Sequence, residues 1–138
     1  MQRSDFQAIS KIRRQEAHVL LDAGCYAGAY YLTGYAVECA LKACVAKKTK
    51  QYDFPDKKLA IGCHTHDIAA LLRLAGLEPE LDGEITASSV FELNWKLVTD
   101  WSEEKRYSTS ISETMARDLY SAIVGRKNGV LGWLKKSW

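Results

Sequence analysis

Glu38 and Lys42 stand inside an apolar run, YAGAYYLTGYAVECALKACVAKK, from Tyr26 to Lys48. At about 100° per residue on a helix, Tyr31, Tyr35, Glu38 and Lys42 fall within about 60° of one another and share one stripe. Glu on the N-terminal side of Lys at this spacing favours the helix. The flanking Ala, Val, Leu and Cys predict partial burial, which is costly for charge unless the charge is paired or used. Two readings follow: a polar groove lined by the stripe, or an intrahelical ion pair whose neighbouring tyrosines reach water. Glu16, on an apolar stripe of the preceding segment, would add a second acidic group to such a groove.

Two other clusters carry chemistry by residue type. Cys63, His64, His66 and Asp67 combine ligand types that suit zinc. Histidines at i,i+2 do not share a helix face, however, and no second ligand pair has finger-like spacing, so no metal is expected. Thr65 or Asp67 serves equally well as a helix cap. Arg106 and Tyr107, beside Lys105, could bind a phosphate or stack on a base with help from a following helix N-terminus. The alternative is a surface cation whose neighbour packs inward. Trp95, Trp101, Trp133 and Trp138 read as core and interface residues, and Lys135-Lys136 as a solvated end. There is no Gly-rich phosphate loop and no Ser/His/Asp arrangement.

The elements that must position these groups are helical from end to end. A first helix is predicted over Ser4–Ala23, with a Ser4/Gln7 capping box, an apolar stripe of Ile9, Ile12, Val19, Leu20 and Ala23, and Gly24 as its stop. A second follows over Tyr26–Lys48, antiparallel to the first, with Gly28, Gly34, Ala27, Ala36 and Ala40 permitting close helix approach. A loop over residues 49–63 contains Pro55. A short helix over Thr65–Ala75 ends at Gly76. A fourth spans Asp82–Trp101, and a fifth opens with a Ser110/Glu113 capping box and runs toward Lys136, weakened by Gly125, Gly129 and Gly132. The expected architecture is one all-α domain over residues 1–138: an up-and-down helical bundle of four main helices and one short helix.

Composition narrows the functional classes. The chain has 138 residues, 47% of them hydrophobic, and a net charge of +2. That is an ordinary globular balance, and the charge permits nucleic-acid contact without demanding it. No apolar run reaches the roughly 18 residues needed to span a bilayer. The N-terminal segment lacks a signal-peptide core, so a cytoplasmic, non-membrane protein is expected. The cysteines at 25, 39, 44 and 63 have no CxxC spacing. Cys39 and Cys44 lie about 140° apart around one helix, which predicts reduced thiols.

The order of features resembles a known family. GAYYLTGYAVECALKA (Gly28–Ala43) is followed by His66-Asp67-Ile68 opening a short helix to Leu71-Leu72, then by Arg106-Tyr107 before a long last helix. Over nearly its whole length the chain is similar to the HEPN domain, with Gly28–Ala43 the most specific part. The resemblance implies an up-and-down bundle that dimerises and that is often paired with a minimal nucleotidyltransferase as toxin and antitoxin. Many such domains are metal-independent endoribonucleases, using an Arg and a His separated by four to six residues near the start of a late helix. At those separations from Arg106 stand Ile111, Ser112 and Glu113. The same spacing does occur at Arg13 and His18, but in the first helix.

The expectation is a nucleotide- or RNA-binding domain without catalysis or cofactor, using Arg106, Tyr107, Lys42, Glu38 and Tyr35. It would act as a homodimer or with a nucleotidyltransferase partner in a toxin–antitoxin or defence pair. One alternative is an endoribonuclease combining Arg106 with His64 or His66. Another is an interaction module without a ligand.

Overall fold

The computed structural model describes residues 1–51 and 64–138. These residues form helices and no strands: α1 (Arg3–Asp22), α2 (Tyr26–Gln51), α3 (Ile68–Leu74), α4 (Glu78–Ala87), α5 (Ser89–Thr99), a 3-10 helix (Glu103–Tyr107), α6 (Glu113–Val124) and α7 (Val130–Leu134). The loop expected over residues 49–63 gives way to α2 as far as Gln51, and the remainder, with Pro55 and Cys63, lies outside the described residues.

The second helix is the axis. Ala36, Val37, Ala40, Leu41 and Ala43 are all buried, because α1, α3, α6, α7 and the 3-10 helix pack around it. A helix with neighbours on so many sides has no wholly polar face, so apolar residues surround the Glu38–Lys42 pair. Gly24 takes φ +78°, the left-handed turn that lets α1 double back on α2, and Gly76 ends the stretch after α3 in the same way at φ +71°.

Several local expectations shift. The buried side of α1 is Ser10, Ala17 and Leu21 rather than the Ile9–Ile12–Val19 stripe; Ile12 and Val19 face water. The polar member of that face is accommodated because Ser10 Oγ donates to the Ala36 carbonyl at 2.7 Å. Glu16 does not join a groove; it pairs with Arg13, half exposed. At the start of α1, the Asp5 carboxylate accepts from the Gln2 N–H at 2.7 Å, replacing the Ser4/Gln7 box.

The helix expected over Asp82–Trp101 is two. Ser88 is extended (φ −144°, ψ 113°), ending α4 and capping α5 by accepting from Phe91 N–H at 3.1 Å. The last helix also divides, after Val124, where Gly125 adopts ψ 143°. Ser112, not Ser110, caps α6, and Glu113 pairs with Arg117 at 2.7 Å. Asn128, between α6 and α7, fastens this end: its side-chain oxygen accepts from Ser88 Oγ at 3.0 Å, and its carbonyl from Asn94 Nδ2 at 2.9 Å. No helix among the described residues is long and apolar enough to cross a membrane.

Candidate functional site

Glu38 projects from the middle of α2 and is 0% exposed. A carboxylate so buried loses several kcal/mol of hydration unless partners replace the water. Lys42, one turn along the same helix, brings Nζ to 3.3 Å from Oε2. His66 arrives from the link before α3 and places Nδ1 at 3.1 Å from both carboxylate oxygens. The link holds that position because Asp67 caps α3, accepting from Ala70 N–H at 3.1 Å.

The chain of contacts then leaves the core. His66 Nε2 stands 3.0 Å from Glu103 Oε2, and Glu103 Oε1 is 2.9 Å from Arg106 Nη1. Glu103 and Arg106 are i,i+3 neighbours on the 3-10 helix, where that spacing brings side chains onto one line. Both ring nitrogens of His66 face carboxylates, and both contacts are hydrogen bonds only when each nitrogen carries a proton. The Arg106 guanidinium lies 4.7 Å from the centroid of the Tyr107 ring. Its pKa is raised, first by Tyr107 and further by Glu103 and the Tyr31 hydroxyl, so it is a permanent cation.

An aromatic ladder backs this chain. Tyr35 stacks on Tyr31 at 5.9 Å, and Tyr31 on Trp101 at 6.0 Å. Trp101 is 2% exposed, and its Nε1 has no hydrogen-bond partner. The indole fills the space over Gly34, where a Cβ would come within 2.2 Å of the ring. Gly34 therefore admits an indole from the segment after α5, whereas Gly28 meets Leu20 of the packed helix α1, at 3.2 Å from a built Cβ. Burial, with help from Cys39 and Glu38, pushes the Tyr35 hydroxyl up to about 12, which keeps it a proton donor.

The residues singled out by type thus divide. Glu38, Lys42, His66 and Arg106 belong to one polar chain, Tyr107 sits at its outer end, and Tyr35 stands two stacked rings away from Trp101. His64 is exposed, and among the described residues it forms no hydrogen bond or ion pair with this polar chain. Cys63 lies outside the described residues, and among those described no three His, Cys, Asp or Glu side chains are grouped to hold a metal ion. Arg13 and His18 do not converge: Arg13 pairs with Glu16, while His18 approaches Asp22 at 3.6 Å and the Tyr120 ring at 5.8 Å. Glu103 and Trp101 had no flag as site residues in the sequence. The one signal for Glu103 was its place three residues before Arg106.

A cleft of about 450 Å³ adjoins the chain, lined in part by His66, Asp67, Trp101, Ser102, Glu103 and Glu104. Its carboxylates, Asp67, Glu103 and Glu104, make this cleft unfavourable for an anion. Comparison of the chain with protein-family models, with curated proteins and with solved structures finds no match.

Proposed function

We propose that this is a HEPN-like helical domain, an up-and-down bundle that binds the phosphate of a nucleotide or RNA at Arg106 without cleaving it. In this reading it acts in the cytoplasm as a homodimer, or with a minimal nucleotidyltransferase in a toxin–antitoxin or defence pair. The observation that carries the reading is the polar chain from Lys42 through Glu38, His66 and Glu103 to Arg106. It holds a half-exposed guanidinium against the 73% exposed Tyr107.

An arriving phosphate takes over the Arg106 N–H groups that now serve Glu103, with the bidentate fit that guanidinium offers. Tyr107 presents an aromatic face to a base. Lys42 and Glu38 act at a distance: Lys42 is committed to Glu38, and Glu38 fixes His66. Calorimetric titration with ATP and with a short RNA tests the reading. Arg106→Ala is expected to weaken binding by roughly tenfold or more, as for loss of a charged hydrogen bond of about 1.5–3 kcal/mol. Equal affinity in the variant and the parent would refute it.

One observation favours a second reading, metal-independent RNA cleavage: His66 and Arg106 share the carboxylate of Glu103. His66 could move a proton of the ribose 2′-hydroxyl while Arg106 steadied the phosphate. Binding is preferred because both His66 nitrogens are already engaged. RNA cleavage that persists in chelator and disappears in both His66→Ala and Arg106→Ala would reverse that preference.

A further inference from the structure

A second cationic surface lies on α1, formed with the segment after α7. Trp138 is held there by α1: Arg3 Nε donates to its carbonyl oxygen, and Gln7 Nε2 donates to the same atom at 2.7 Å. Its ring lies among cations, with Lys11 Nζ at 5.8 Å and Lys135 Nζ at 5.5 Å from the centroid. Gln7, Lys11 and Arg14 fall on one flank of α1. Among the described residues, none of Lys11, Arg14 and Lys135 has a carboxylate within 4.0 Å. Burial, and after it the charges of Arg14 and Lys11, pull the Lys135 ammonium below its usual range. Four acids, Glu78, Glu80, Asp82 and Glu84, lie together on α4.

Some surface cations of the protein take intrahelical partners, Lys96 with Glu92 and Arg117 with Glu113 among them. Lys11 and Lys135 converge on the Trp138 ring, and Arg14 adds to the positive charge felt by Lys135; such like charges repel one another, and a bound polyanion removes that repulsion. Lys11 and Arg14 are separated by about 4.5 Å of helix rise, and Lys135 comes from another segment. The cations therefore form a short track rather than a single-phosphate pocket. A partly exposed indole on the track suits a strand whose bases are free to stack.

We propose that the Lys11–Arg14 flank of α1, with Lys135 and Trp138, binds the phosphodiester backbone of single-stranded nucleic acid. This surface is separate from Arg106 and does not depend on the reading given for that residue.

The test is fluorescence anisotropy of a labelled oligouridylate with the full chain across a series of KCl concentrations. The logarithm of the binding constant should fall linearly with that of the salt. The slope should decrease by about 1.4 in the Lys11→Gln/Arg14→Gln variant, about 0.7 for each phosphate of a single strand that is no longer neutralised. Helicity and melting temperature, measured in parallel, should match the parent, since both side chains lie at the surface. Arg106→Ala should leave this share of the slope in place. An unchanged slope in the double variant overturns the proposal, whatever Arg106→Ala does. A slope that falls only in the double variant supports this surface and counts against Arg106. If the cations instead receive α4 of a second copy, sedimentation shows a salt-sensitive oligomer that the double variant dissolves while the oligouridylate slope stays unaltered; that result also overturns the proposal.

Discussion

The indole of Trp101 rests on the backbone of Gly34, so close that a Cβ at position 34 would come within 2.2 Å of the ring. This contact connects the central helix to the start of the 3-10 helix that bears Glu103 and Arg106. Gly34→Ala gains helix propensity, about 1 kcal/mol, but must displace a fully buried ring. A net destabilisation of about 1–3 kcal/mol is expected by urea denaturation. Gly28→Ala meets only the end of the half-buried Leu20 side chain, at 3.2 Å, and should be neutral or slightly stabilising. Equal effects at the two positions would show that the indole is not what requires Gly34.

The polar chain predicts an order of costs. Glu38→Ala leaves Lys42, whose side chain is only 13% exposed, with no counter-charge. Breaking a buried pair in this way costs about 3–5 kcal/mol. His66→Ala removes one partner from Glu38 but leaves Lys42 in place, and the His66 side chain is 46% exposed. A loss of about 1.5 kcal/mol is expected there. Thermal melts that reverse this order would place the energetic centre at His66 rather than at the buried carboxylate.

Ser88 separates α4 from α5 with one hydroxyl, which accepts from Phe91 N–H and donates to Asn128. Ser88→Ala should cost about 1–2 kcal/mol, the usual effect of losing a cap with a tertiary bond attached. Ser88→Thr keeps the hydroxyl and suits the extended backbone, so it should recover most of that loss. Failure of Thr to rescue would mean that the cost arises from packing and not from the hydroxyl.

What the sequence made legible was mostly local. The Glu38–Lys42 pair, the turn at Gly24 and the Asp67 cap depend on residues within a turn of one another, and spacing reports them directly. The polar chain beyond Glu38 was hidden because His66 reaches it across 28 residues, including segments outside the described range. Helix faces misled for α1, because small Ala17 and hydrogen-bonded Ser10 sit closest to α2 while larger Ile12 and Val19 stay outside. In a helix whose neighbour approaches closely, size rather than hydrophobicity selects the buried side. The break at Ser88 was masked in the same way, since apolar residues on both sides continue a helical pattern that only the cap interrupts.

Cys39 and Cys44 make the fold sensitive to alkali. Burial pushes the Cys39 thiol up to about 11, with Glu38 adding, and the Cys44 thiol up to about 12. In the unfolded chain both ionise near 9.0. Between those values the unfolded state has released protons that the folded state keeps, so rising pH favours unfolding. Stability is therefore complete below about pH 9 and declines as pH climbs toward the folded-state values, by about 1–2 kcal/mol per thiol near pH 10.5. Urea midpoints at about pH 8 and about pH 10.5 measure the decline. A Cys39→Ala/Cys44→Ala variant will be less stable at the lower pH because of the volume it loses, but its decline should be shallower. A decline as steep as that of the parent would assign the alkaline loss to other groups, Tyr35 first among them.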